Sequence, residues 1–183
     1  MSILVVPYSD EWPAQFAAVA EELARALSGV PVGSIEHVGS TAVPGLAAKP
    51  IIDIDIIVGR PDLVAAIAAL EAAGYEHAGD LGLPGREAFR TPDQRPARHV
   101  YLCVEGTLHL RNHLAVRDVL RRDALLRQRY GEVKLALAGD AEMDIDTYIA
   151  GKSGVLQEVL ASSDLTIAEK AQILALNDPD SRA

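Results

Sequence analysis

Hydrophobic positions along the chain follow two periods, and the switches between them mark out the elements. Phe16, Ala20, Leu23 and Leu27 recur at helical spacing, which predicts an amphipathic helix that tolerates Pro13 early and ends at Ser28-Gly29. Ser9 or Asp10 is the expected cap, with Asp10 and Glu11 favourable in the first turn. Ahead of it, the apolar run from Ile3 to Val6 stops at Pro7 and reads as an edge strand. Ser34 to Val38 predicts a strand running straight into Gly39-Ser40-Thr41. Ile51 to Val58 is the strongest strand signal, β-branched throughout except for Asp53 and Asp55, and reads as a buried central strand. Pro61-Asp62 opens an Ala-rich helix reaching Ala73 and closed by Gly74. Short strands are expected at Tyr75 to Ala78, Glu87 to Thr91 and His99 to Val104, between loops carrying Gly82, Pro84, Gly85, Pro92 and Pro96. After Gly106 the pattern is helical, with breaks expected at Gly131, Gly139 and Gly151 and fraying over Asp178 to Ala183. The order predicts an α/β (α+β) fold, a small mixed β-sheet flanked by helices with a helical C-terminal tail over 140–177. At 183 residues one domain is expected, spanning 1–183.

Charge and cysteine content narrow the classes. The chain carries 17 Lys and Arg against 26 Asp and Glu, a net charge of −9 and a pI near 5.0. That balance disfavours duplex DNA and polybasic membrane attachment, both of which need a cationic surface. Its distribution is uneven: residues 108–138 hold seven Lys and Arg against three Asp and Glu, the one basic segment. Cys103 is the single cysteine, so neither an intramolecular disulfide nor a cysteine-based zinc site is available. The N-terminus lacks the basic flank and long apolar run of a signal peptide, and no apolar stretch approaches the roughly 20 residues of a membrane span. A cytoplasmic protein without a membrane partner is expected; whether it forms a homo-oligomer is open.

The chemistry concentrates between Ile35 and Ile56. Asp53 and Asp55 are two apart on a strand and share a face, about 7 Å apart by strand rise, while Ile52, Ile54 and Ile56 take the other. Two carboxylates on a strand built for burial cost several kcal/mol unless neutralised. Mg²⁺ suits them, since it takes one or two protein carboxylates and completes its shell with water and phosphate oxygens. Solvated carboxylates at a strand end, or Asp–Arg pairs, are the plainer reading. Gly39 permits positive φ or close approach, Ser40 offers a hydroxyl, and amides ahead of a short helix can hold a phosphate. Neither this turn nor Gly151-Lys152-Ser153 has the spacing of a Walker A loop.

A strand ending in Gly-Ser, twelve intervening residues and an apolar strand with Asp-x-Asp resemble the signature of the nucleotidyltransferase superfamily related to polymerase β. The longer stretch Glu36-His37-Val38-Gly39-Ser40-Thr41-Ala42-Val43-Pro44-Gly45-Leu46-Ala47-Ala48-Lys49-Pro50-Ile51-Ile52-Asp53-Ile54-Asp55 resembles one branch, the GrpB or UPF0157 family. Tyr8, Trp12 and Phe16, the segment Pro84 to Arg90, the block His113 to Arg121, and Tyr130 with Lys134 agree with it. The resemblance implies that Gly39, Ser40 and Thr41 hold nucleotide phosphates and that Asp53 and Asp55 bind Mg²⁺. The reaction implied is nucleotidyl transfer from an NTP to a small acceptor. Fusion of some family members to dephospho-CoA kinase implies the alternative, a non-catalytic nucleotide- or coenzyme-A-binding module. A third reading, a nucleic-acid enzyme, fits the acidic balance poorly.

The superfamily also implies a third carboxylate on a neighbouring strand. Glu87 and Glu105 are available, and His99 is a better neutral-pH base than Tyr101, whose unperturbed pKa is about 10. His99 is therefore the third catalytic candidate. Lys49, Arg86 and Arg117 are candidate phosphate contacts, against a turn lysine, a neutraliser of Glu87 and a solvated helix arginine as the plain readings. The basic block is expected to pack beside Gly39-Ser40 and the Asp pair. His37 reads equally as a hydrogen-bonded structural residue. Trp12 and Tyr148 read as packing residues, Lys134 and Lys152 as surface lysines, and Asp118–Arg122 as a solvated i, i+4 pair.

Overall fold

The computed structural model describes residues 4–140 and 143–177, with the side chains of residues 176 and 177 left aside. Met1 to Ile3 and Asp178 to Ala183 lie outside the described residues, so the start of the expected Ile3–Val6 strand and the expected terminal fraying lie there too. Chain packing divides into two compact units, Asp10–Val38 with Ile51–Leu110, and Met1–Ser9 with Gly39–Pro50 and Arg111–Ala183. Among the described residues no helix is long and apolar enough to cross a membrane.

The first unit is a five-stranded mixed sheet with two helices. Its strands are β1 (Ser34–Val38), β2 (Ile52–Val58), β3 (Glu76–Gly79), β4 (Arg86–Arg90) and β5 (Arg98–Val104), in the spatial order β1-β2-β5-β4-β3. The β2–β5 pair is parallel and the others antiparallel, so every predicted strand here forms, within about one residue of its expected ends. Helices α1 (Trp12–Ala26) and α2 (Leu63–Ala72) pack on the sheet, α1 against β1 and β2, α2 against β3 and β5. Ile52, Ile54 and Ile56 are buried with Val100 and Leu102, their register neighbours or near neighbours on β5. His37 belongs to this apolar face and stacks on Phe16 of α1, with ring centroids 4.6 Å apart and planes at 8°. Helix α1 starts one residue later than its expected caps allow: Glu11 is the N-cap, it makes no side-chain capping bond, and no acidic residue lies in the first turn. Pro13, which needs no amide partner in a first turn, sets that start.

The second unit is helical. The last part of α3 (Leu108–Arg122) leads into α4 (Ala124–Ala138), α5 (Ile145–Gly151), α6 (Ser153–Ala161) and α7 (Ile167–Asn177). Val43 and Leu46 from the 39–50 segment join Val119, Leu120, Tyr130, Val155 and Val159 in its core. Val6 pairs with Ala48 as a single antiparallel bridge rather than a strand. Gly131 does not break the helix as expected. It sits inside α4, where a Cβ would meet Leu46 Cδ1 at 3.4 Å, so the glycine serves close approach. The break comes instead at Asp123, whose carboxylate accepts from the amides of Leu125 and Leu126 and restarts the helix.

Candidate functional site

In the sheet unit the register settles which side chains share the carboxylate face. Asp53 is paired with Val38 on β1 and His99 on β5; Asp55 is paired with Glu36 and Tyr101. Directly opposed residues point to the same side of a sheet, so Glu36, Asp53, Asp55, His99 and Tyr101 lie together there. Cys103, two residues beyond Tyr101, and Arg86, its register partner on β4, continue the row. The isoleucines, His37 and Glu87 take the opposite, helix-covered face.

The two aspartates differ in environment. Asp53 keeps 31% of its side chain exposed and accepts a 2.9 Å hydrogen bond from His99 Nδ1. A carboxylate only accepts, so Nδ1 carries the proton of this bond, in a ring that is half exposed. Asp55 is fully buried. Its neighbours bear the mark of its charge: Cys103 is pushed far above an ordinary thiol, first by burial and then by Asp55, with which it shares a hydrogen bond. The Tyr101 phenol is raised by burial and then by the charges of Asp53 and Asp55. Neither the thiol nor the phenol ionises near neutral pH. Arg86 is the cation beside them, its guanidinium 4.8 Å from the Tyr101 ring centroid and its buried Nε without a hydrogen-bond partner.

The sequence left the third carboxylate without a place, and neither candidate reaches this face. Glu87 is paired with Leu102 on the other face and bonds His77 Nε2 at 2.7 Å. Glu105 lies beyond the end of β5 and is exposed. The carboxylate that does share the face is Glu36, missed because its position opposite Asp55 depends on the β1–β2 register. Alternation against Ile35 and His37 was the available signal. Arg90, at the other end of β4, pairs with Glu76 at 2.7 Å.

In the helical unit Gly39 has φ 69° and ψ −169°, a conformation open essentially to glycine alone, and it delivers the chain into a 3-10 turn at Ser40–Ala42. Ser40 is half-buried, whereas Thr41 is buried at 1% exposure. The basic block is spent on local carbonyls and carboxylates. Arg121 Nε donates to Ala42 O at 2.9 Å, and Lys134 Nζ donates to Ala47 O at 2.6 Å; Lys134 is buried, correcting its reading as a surface lysine. Arg117 pairs with Asp118 at 2.7 Å, so the expected Asp118–Arg122 pair gives way, and Arg122 donates to Ser162 O. Arg127 donates to Leu120 O and Arg121 O, and Arg129 forks onto Glu158. Lys49 sits over the ring of buried Tyr148.

Among the described residues no group of three or more His, Cys, Asp or Glu side chains is arranged to hold a metal ion. The oxygen donors present still fit Mg²⁺, which needs only one or two protein carboxylates and takes the rest from water and phosphate. Asp53 is the accessible one and Asp55 the buried one behind it on the same face.

A mixed sheet with Asp-x-Asp on β2 after a Gly-Ser turn defines a nucleotidyltransferase-like fold. A solved structure of the Cid1 poly(U) polymerase with MgGTP bound shares the fold, with a TM-score of 0.52 at 17% identity over 71% of this chain and 43% of that one. The family model described as GrpB protein matches residues 2–162, and the chain belongs to that family. The crystal structure of GrpB from Enterococcus faecalis matches with a TM-score of 0.73 at 34% identity, covering 86% of this chain and 98% of that one. The UPF0157 protein BH1888 of Halalkalibacterium halodurans is 34% identical over 167 residues, 90% of this chain and 84% of its own. The UPF0157 protein YqkA of Bacillus subtilis is 32% identical over 149 residues, but the match spans only 43% of YqkA. A protein named dephospho-CoA kinase, from Mycolicibacterium paratuberculosis, is 33% identical over 82% of this chain and 43% of its own length.

Proposed function

We propose that this chain is a Mg²⁺-dependent nucleotidyltransferase that moves a nucleotidyl group from an NTP to a small acceptor. The observation that carries the reading is the pair Asp53 and Asp55 on one face of β2 in a nucleotidyltransferase-like fold, with Asp53 open and oriented by His99. Gly39 and Ser40, in the turn that opens the 39–50 segment, would take phosphate oxygens through backbone amides and the Ser40 hydroxyl. Asp53 and Asp55 would hold Mg²⁺, which when bound supplies neutralisation of phosphate charge and in-line orientation. Arg86 adds a fixed positive charge on the same face. His99 would hold Asp53 through Nδ1 and take the acceptor hydroxyl's proton at Nε2, as that oxygen bonds the α-phosphorus and pyrophosphate leaves. The acidic chain and its committed basic block argue for a small acceptor rather than a nucleic acid.

The second reading, a nucleotide- or coenzyme-A-binding module without transfer, draws on the complete burial of Asp55 and on the relative named dephospho-CoA kinase. Transfer from α-labelled NTPs with Mg²⁺ to a panel of small hydroxyl and phosphate acceptors separates the two. Product formation that Asp53→Asn abolishes supports transfer. Mg²⁺-dependent nucleotide binding with no product from any of the four NTPs supports the module. Absence of both binding and Mg²⁺-dependent stabilisation overturns both.

A further inference from the structure

Among the described residues of the sheet unit, Arg86 is a strand arginine without an ionic partner. Arg90 pairs with Glu76, and Arg98 forks onto Asp93. Glu87, next to Arg86 in the chain, turns to the other face and bonds His77. No ion pair or hydrogen bond holds the Arg86 guanidinium among the described residues. It lies instead 4.8 Å from the Tyr101 ring centroid, and its Nε is buried without an acceptor. A buried N–H donor left unmade is costly, so such a group calls for an explanation. A guanidinium stays charged and presents its donors as a planar fork that matches a carboxylate or phosphate.

The register locates that charge. Along β5 the carboxylate face reads His99, Tyr101 and Cys103, opposite Asp53, Asp55 and Ile57 of β2. Arg86 stands opposite Cys103 on β4, and its guanidinium reaches back over Tyr101. β5 separates β4 from β2, which puts the two strands about 10 Å apart across the sheet. The charges of both aspartates and of Arg86 are nevertheless felt at one phenol: after burial, Asp53 raises Tyr101 most, and Arg86 lowers it. His99 and Arg86 lie on the same side of β2. Two residues along a strand span about 7 Å. An anion over Tyr101 thus sits on the order of 7 Å from the row of Asp53 and His99, within reach of one small molecule. Asp53 and His99 are partly exposed, and Arg86 and Tyr101 are half-buried.

We propose that Arg86, braced on Tyr101, binds the phosphate or carboxylate group of the substrate that meets Asp53 and His99. In the transfer reading, on which this part rests, that substrate is the acceptor: a small hydroxyl compound with an anionic group several bonds from the hydroxyl. A guanidinium lying over a ring keeps its N–H donors in its own plane, where an oxyanion can take two of them. A metal on Asp53 and Asp55 would offset their charge and leave that of Arg86 for the acceptor.

The test follows the Arg86 Nε–H resonance of the full, unmutated chain by NMR, assigned through its own side-chain carbons, so it does not depend on a variant folding. The chain is titrated in Mg²⁺ with glycerol 3-phosphate, glycerate and glycerol. At least one of the two anions is expected to shift the resonance saturably, and the one that does names the oxyanion; glycerol is expected to leave it in place. Arg86→Gln should weaken calorimetric binding of that anion by about tenfold or more, and Arg86→Lys should retain part of it. In transfer from NTPs, wild type should prefer the anionic acceptor to glycerol, and Arg86→Gln should lose that preference. No shift with either anion, undiminished anion affinity in Arg86→Gln, or a loss confined to NTP binding overturns the proposal. Transfer to glycerol and to both anions alike overturns it while leaving the transfer reading intact. Anion binding at Arg86 without product from any NTP does the reverse: the anion site stands and the transfer reading falls.

Discussion

His99 and Asp53 stand opposite each other in the parallel β2–β5 ladder and share a 2.9 Å hydrogen bond from imidazole Nδ1 to carboxylate Oδ1. A partner that orients a metal-binding carboxylate commonly contributes 10–100-fold to metal affinity. His99→Ala is expected to shift the Mg²⁺ midpoint of thermal stabilisation upward by about that factor. His99 is half exposed, so the melting temperature without metal should change little. His99→Asn keeps a donor near Nδ1 and should recover part of the effect. An unchanged Mg²⁺ midpoint in His99→Ala would remove the imidazole from the site.

Gly39 holds φ 69° with ψ −169°. Gly39→Ala is expected to lower stability by about 1–3 kcal/mol in urea unfolding, the usual cost of forcing a side chain into such a conformation. It should also displace the Ser40–Ala42 turn, so Mg²⁺-dependent nucleotide binding should weaken by more than the stability loss explains.

Asp93 and Arg98 predict an acid limb. Arg98 is buried, and its guanidinium makes bonds of 2.8 and 3.2 Å to the two oxygens of Asp93. Those hydrogen bonds, with one from the Arg95 amide, pull Asp93 from 3.8 to about 2. A carboxylate lowered on folding contributes stability that is fully present above its unfolded value and disappears as pH falls through the folded one. Wild type should therefore lose stability between about pH 4 and pH 2 through this group. Asp93→Asn should melt lower at pH 7 and show a shallower dependence across that window. Equal melting curves at pH 7 would rule the contact out.

Lys134 is expected to matter for the loop rather than for ligand. Its amine is buried and donates to Ala47 O at 2.6 Å. Lys134→Met leaves that carbonyl without this donor and should cost about 1–3 kcal/mol by urea denaturation.

The local elements were legible because each has a local cause. β-Branched runs fixed β2, Pro61 and Gly74 bounded the region of α2, and the Gly-Ser turn with Asp-x-Asp identified the fold. What could not be read depended on register or on distant partners. Glu36 and Glu87 are both strand glutamates, and only pairing with Asp55 or Leu102 puts one on the carboxylate face and the other behind it. Gly131 looks like a breaker until Leu46 is found against it. The arginines of the basic block looked like a wall for phosphate, yet Arg121 and Arg127 end on backbone carbonyls that no periodicity foretells.

Both units are assembled from separated stretches of chain: the sheet unit gives up its chain after Val38 and recovers it at Ile51. No single peptide cleavage can release either one intact. A fragment ending near residue 110 would contain all five strands of the described sheet but would leave Val43 and Leu46 without the helical residues that bury them. Such a truncation would expose apolar side chains in the middle of the β1–β2 connection, a patch prone to self-association. Dissection of the two units therefore calls for redesign of the 39–50 crossing, with its apolar residues replaced, before any boundary is cut.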